Sequence, residues 1–176
     1  MNSLIRFSSV FGLAAILTTT GCSDPDAPAR VPSNDPVVES HIQLMLTRIA
    51  ANNAKDWAKW ESLHVAGAVR TAPELPGPLV GVKAMRAGIE ELVVTFPDYN
   101  LTLVEAFGEG NRLMARITAK GTMLGSIDIN GTQIPPTGKA FEQDWAAVVT
   151  FDKDQISAID EFHDNYGLLV QLGLTE

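Results

Sequence analysis

From Leu101 to Phe162 the apolar residues of this chain recur at every second position, whereas before Phe96 they recur every three or four. Helices must therefore come first and strands afterwards. In RLMARITAKGT, Leu113, Ala115, Ile117 and Ala119 face one way, and Met114, Arg116, Thr118 and Lys120 the other, as in a strand with one buried face. A turn at Gly108-Glu109-Gly110-Asn111 precedes it, and SIDI meets Asn130-Gly131, a hairpin pair. AFEQDWAAVVTF then turns at Asp152-Lys153-Asp154 into QISAIDEFH. Upstream, Asn34 or Asp35 can cap a helix with Pro36 in its first turn, and Val38, Ile42, Met45 and Ile49 share one face. Ala54 to Leu63 reads as a short second helix carrying Trp57 and Trp60, and Val82 to about Thr95 as a third. VAGAVRTAPELPGPLVG, with three prolines, reads as a loop. The expected class is α+β: three N-terminal helices on a curved antiparallel sheet, with a short C-terminal helix over 165–172.

The first 21 residues read as an export signal. Arg6 precedes an apolar run from Phe7 to Leu17, too short to span a bilayer, and small residues follow. Cys22, the single cysteine, stands directly after Gly21 and resembles the lipidated cysteine of a bacterial lipobox, with Thr19 where leucine is usual. Lipidation of Cys22 is the expectation, and an ordinary secreted protein cut nearby is the alternative. Residues 22–36, rich in proline, aspartate and serine, read as a tether, leaving 37–176 as one domain on a cell envelope membrane. With 13 Lys+Arg against 21 Asp+Glu and no basic stripe, nucleic acid is excluded as a partner.

If Lys153-Asp154 forms the tip of the last hairpin, Phe151 faces Ile156 and antiparallel partners follow by counting. Trp145 then opposes Phe162, Asp144 opposes His163, and Gln143 opposes Asp164. One face carries Ile156, Ala158, Asp160, Phe162 and Asp164 with Gln143, Trp145, Ala147 and Val149. Aromatic and apolar, with two carboxylates and an amide, it suits a small, mostly apolar ligand. Asp164 buried beside Trp145 and Phe162 would have a raised pKa, useful for acid/base work. Alternatively, Asp164 caps the terminal helix. On this register His163 pairs with Asp144 on the other face. His41, His64 and His163 show no ligand spacing, so no metal is expected.

Phe96-Pro97-Asp98, Gly110-Asn111-Arg112, Arg116-Ile117-Thr118 with Gly121-Thr122, Ile134 to Lys139, and His163-Asp164 with Gly167-Leu168-Leu169 and Gln171-Leu172-Gly173 resemble the SnoaL-like polyketide cyclase family. The resemblance runs in order from about residue 37. It implies a nuclear transport factor 2-like cone, and ring closure by intramolecular aldol condensation without metal or cofactor. It also implies an acid/base aspartate at the position of Asp164, with His163 beside it. Where many members have histidines, this chain has Met123 and, before Ala72-Pro73, Thr71. The expected function is binding of a small apolar carbonyl or ester compound. Asp164 and His163 would be catalytic, and Trp145, Phe162, Asp160, Gln143 and Met123 would contact substrate. The alternatives are a non-catalytic carrier or sensor, or a module dimerising through its outer sheet face.

Overall fold

The structure, a computed structural model, describes residues 34–129 and 131–175. The expected export segment, Cys22 and most of the tether lie outside the described residues. Helix α1 (Pro36–Asn53) starts where expected: Asp35 caps it by accepting from the Val37 amide at 2.9 Å, with proline in the first turn. Its face of Val38, Ile42, Met45 and Ile49 is buried. Its far end is pinned by Asn53, whose amide group donates to the Leu101 carbonyl at 2.8 Å and accepts from the Leu101 amide at 2.9 Å. Helix α2 (Trp57–Ser62) is shorter than expected because Asp56 caps it, accepting from the Lys59 amide. Helix α3 spans Val82–Thr95.

The segment read as a loop contains two strands, β1 (His64–Thr71) and β2 (Leu79–Val80). The remaining strands are β3 (Asn100–Glu109), β4 (Arg112–Thr122), β5 (Ile127–Ile129), β6 (Thr132–Ile134), β7 (Ala140–Asp152) and β8 (Gln155–Phe162). Six of them form one sheet in the order β2-β1-β8-β7-β4-β3, and β5 pairs with β6 separately. Because β1 runs parallel to β8, the sheet is mixed rather than antiparallel throughout. Helix α4 (Asn165–Leu172) closes the chain, with Gly173 in the left-handed conformation at its C-cap.

One face of the sheet and the inner sides of the helices make a single core, including Ile42, Met45, Trp60, Met85, Phe96, Ile117, Ala147 and Ile156. The β4 alternation is as expected, with Leu113, Ala115, Ile117 and Ala119 inside. The last hairpin departs from the expected register. Phe151 does oppose Ile156, but Thr150 opposes Ala158, so Ser157 is an extra residue and its hydroxyl donates to the Thr150 carbonyl at 3.1 Å. Beyond this bulge every β8 side chain changes face. Ile159 and Glu161 turn inward beside Val149 and Ala147, while Asp160 and Phe162 turn outward beside Val148 and Ala146.

Candidate active site

The bulge divides the expected site: Trp145, Phe162, His163 and Asp164 line one open cavity of about 620 Å³ together with Phe107, Met114 and Arg116, whereas Asp160, Gln143 and Met123 do not reach it. Asp164 is exposed, not sunk among aromatic rings; its Oδ1 accepts from the Gly167 amide at 2.9 Å and caps α4. Phe162 is 57% exposed on the outer face. Asp160 lies on that outer face too and accepts from the Thr71 hydroxyl at 2.6 Å. Met123 is fully buried, its Sδ accepting from the Thr137 hydroxyl and its backbone bonded to Gly138 and Lys139; it is packed under that loop. Asp144 pairs with Arg116 at 2.7 Å and accepts from Thr118, so His163 is not its partner. Trp145 and Gln143 do face inward, and His163 joins them, its ring edge-on to Trp145 with centroids 6.1 Å apart.

The inward carboxylate is Glu161, 7% exposed. Strand β1 lies against β8 with Arg70 opposite Ile159, which brings the Arg70 guanidinium to Glu161 Oε2 at 2.6 Å. The same Nη2 reaches Glu74 Oε1 at 2.9 Å, just beyond the end of β1. Glu74 Oε2 in turn accepts from His163 Nε2 at 3.0 Å. Glu161, Arg70, Glu74 and His163 thus form one chain of charge-assisted bonds. Burial by itself would raise the Glu74 carboxyl, but the His163 hydrogen bond and Arg70 outweigh it and hold the group at about 2. The bond to Glu74 raises the His163 imidazole above its ordinary value, although burial works against this.

With Nε2–H committed to Glu74, the neutral ring keeps its lone pair on Nδ1. That atom is buried and has no protein partner among the described residues, and the same is true of Gln143 Oε1 on the inner face of β7. A base oriented by a carboxylate, with its working nitrogen free, is the arrangement of a general acid/base. Glu74, Glu161 and His163 also bring three ligand atoms within 4.8 Å of one another. The Arg70 guanidinium already bonds both carboxylates, so a cation there would have to displace it.

Behind this chain lies a second cluster. Arg48, on the buried face of α1, donates through Nε to His64 Nε2 at 3.3 Å and sits 5.4 Å over the Trp60 ring. An arginine only donates, so His64 Nε2 is the acceptor, and the proton is on Nδ1, which reaches the Trp60 carbonyl at 2.8 Å. Burial, then Arg48, push His64 down to about 3, against the bond to the Trp60 carbonyl. A histidine with a depressed folded pKa is protonated more readily when unfolded. The domain should therefore lose stability as pH falls below about 6.5, by up to about 1.4 kcal/mol per pH unit for this group. In urea titrations from pH 7 to pH 4, the stability gap between wild type and His64→Gln should shrink as pH falls. A gap that stays constant would show that His64 carries no such coupling.

A curved six-stranded mixed sheet, helices against its inner face and polar side chains inside it define a nuclear transport factor 2-like domain. The chain belongs to the SnoaL-like polyketide cyclase family, whose model matches residues 41–172. Among solved structures it is similar to TsrD from Streptomyces laurentii, at 27% identity and a TM-score of 0.67 over 81% of this chain and all of that one. IdmH from Streptomyces antibioticus is 24% identical with a TM-score of 0.63, covering 75% of this chain and 97% of that chain. A SnoaL-like protein from Jannaschia, at 15% identity, covers 83% of this chain and all of its own with a TM-score of 0.71. No curated protein matches the chain.

Arg70, Glu74, Glu161, Arg48 and Tyr99 were not singled out in the sequence. One cue was available: Arg48 falls within the helical stripe of Met45 and Ile49, and a charge on a buried face asks for a reason.

Proposed function

We propose that this domain is a cofactor-free acid/base enzyme for a small carbonyl compound, with His163 rather than Asp164 as the group that moves the proton. The observation that carries this is the buried, unpartnered Nδ1 of His163 on a ring held through Nε2 by Glu74. Nδ1 takes a proton from the carbon beside a carbonyl, and the electron pair of the broken C–H bond passes to the carbonyl oxygen as an enolate. The enolate carbon attacks a second carbonyl of the same molecule, and Nδ1–H returns the proton to the new alkoxide. Nothing else is consumed. Family membership supports the reading, and IdmH is itself described as a candidate polyketide cyclase. Trp145 would flank the reacting group, and Gln143 would orient it.

The test needs no knowledge of the natural substrate. In D2O the protein should speed deuterium entry at the α-carbon of simple β-keto esters, followed by NMR. His163→Gln should slow this at least about a hundredfold, within the usual worth of a positioned acid/base. Glu74→Gln should move the pH–rate profile to lower pH, because the carboxylate that raises the His163 pKa is gone. Asp164→Asn should leave the rate nearly unchanged. Equal exchange by wild type and His163→Gln would overturn the proposal.

A second reading has its own support. Phe107 and Met114 are cross-strand partners, Phe162 lies opposite Ala146 nearby, and all three large side chains are exposed on the outer sheet face. An exposed apolar cluster of this kind, edged by the ion pairs of Arg116 with Glu105 and Asp144, suits a second copy of the chain, independent of any catalysis. A lipid anchor at Cys22 remains part of the proposal, supported by the order of residues in the first 22 alone.

A further inference from the structure

Arg48 is 3% exposed, and of its five N–H donors one is used, by His64. Among the described residues it makes no ion pair, and its terminal amino groups donate to no protein atom. A guanidinium this little exposed, whose terminal amino groups find no protein acceptor among the described residues, is uncommon, because each lost bond to water must be replaced. The nearest carboxylates are spoken for: Glu161 by Arg70 at 2.6 Å, and Glu74 by Arg70 and His163. Tyr99 interacts electrostatically with Arg48, Arg70, Glu161 and Glu74, and its phenol has no protein partner among the described residues. Burial, then Glu161, push that phenol above its ordinary value, so it stays a donor. Both carboxylates nearby, Glu74 and Glu161, are held by Arg70, and Glu74 also by His163, which leaves Arg48 with no counter-ion in contact among the described residues.

We propose that the interior site takes a ligand bearing a carboxylate, bound by the terminal amino groups of Arg48 and the Tyr99 hydroxyl. This rests on the acid/base reading above for the interior as the ligand site, and narrows the substrate to a carbonyl compound that is also a carboxylic acid. A planar carboxylate matches the guanidinium fork, which a neutral ester oxygen does not. Burial lowers Arg48 to about 10, with Arg70 adding to this and Glu161 opposing it. The cation therefore persists at neutral pH at a cost that an anion would relieve.

The experiment compares benzoate and 1-naphthoate with benzamide and 1-naphthamide, titrated into the purified protein by calorimetry near pH 7. At least one acid should bind about tenfold or more tightly than its amide, a difference of about 1.4 kcal/mol, and should raise Tm where the amide does not. Arg48→Gln should abolish the preference, Arg48→Lys should keep part of it, and Tyr99→Phe should reduce it. If Arg48→Gln does not fold, the lysine and phenylalanine variants and the wild-type Tm shift decide. No preference in either pair, or a preference that survives Arg48→Gln, overturns the inference. His163→Gln should keep the preference. An intact preference without any deuterium exchange would sink the catalytic reading alone, and exchange without the preference would sink the carboxylate alone.

Discussion

Replacing Arg70 with methionine is expected to destabilise the domain by about 3–5 kcal/mol, the usual cost of removing one partner from a buried ion pair. The side chain is 13% exposed and bridges two carboxylates, at 2.6 Å to Glu161 and 2.9 Å to Glu74. Burial would lower its pKa, but those two charges hold it above the ordinary value, so it is a cation throughout the working range. Methionine fills much of the same volume, so the loss comes from the Glu161 carboxyl group, left buried without its guanidinium partner. The double variant Arg70→Met with Glu161→Leu removes that orphan and should recover most of the loss, since apolar replacement of a whole buried pair is often close to neutral. Urea denaturation of the two variants checks both statements. A loss under about 1 kcal/mol in the single variant would mean that water reaches Glu161 once Arg70 is gone.

Trp60→Ala should cost a similar amount, about 3–5 kcal/mol, through the cavity left in a core that cannot fully collapse. Trp60 has no exposed surface, and its ring lies 4.0 Å from that of His64 and under the Arg48 guanidinium. Its indole N–H has no protein partner among the described residues, so Trp60→Phe gives up packing but no hydrogen bond to them and should cost less than about 1.5 kcal/mol. Thermal unfolding of both variants at pH 7 separates the two. A phenylalanine variant as unstable as the alanine one would show that the indole nitrogen is bonded in solution. The Tm shift for alanine should also be reduced at pH 4, because proton uptake by His64 in the unfolded chain has by then lowered the stability of the wild type, and opening the pocket lets the folded histidine take up that proton too.

The boundaries of α1, α3 and α4 and the face of β4 could be read from residue spacing, because each has an unbroken period and most have a recognisable cap. The hairpin tip was legible too, since Phe151 opposes Ile156 and Asp152 opposes Gln155. The site was not legible, for two physical reasons. One inserted residue, Ser157, exchanges the faces of everything after it, so counting outward from the tip put Asp160, Phe162 and Asp164 where Ile159, Glu161 and His163 belong. The trace of this was present: Ile156 and Ile159 are three apart, a spacing no regular strand buries on one face. The second reason is β1. Its burial does not alternate and its pairing with β8 shifts between His64 and Val69, so period-two reasoning has nothing to hold, and with it went Arg70 and Glu74.

The parallel contact between β1 and β8 has a kinetic corollary. Arg70 and Glu161 are 91 residues apart, so the pair cannot meet until almost the whole chain has been made and the long intervening loop has been closed. The central hairpins can assemble early from neighbours in sequence, but Arg70 and Glu74, which hold Glu161 and His163, come from the first strand and the segment just after it. On the acid/base reading proposed above, partly folded forms of this domain should be inert, and any reagent that loosens the chain's opening strand should stop deuterium exchange well before the sheet itself melts.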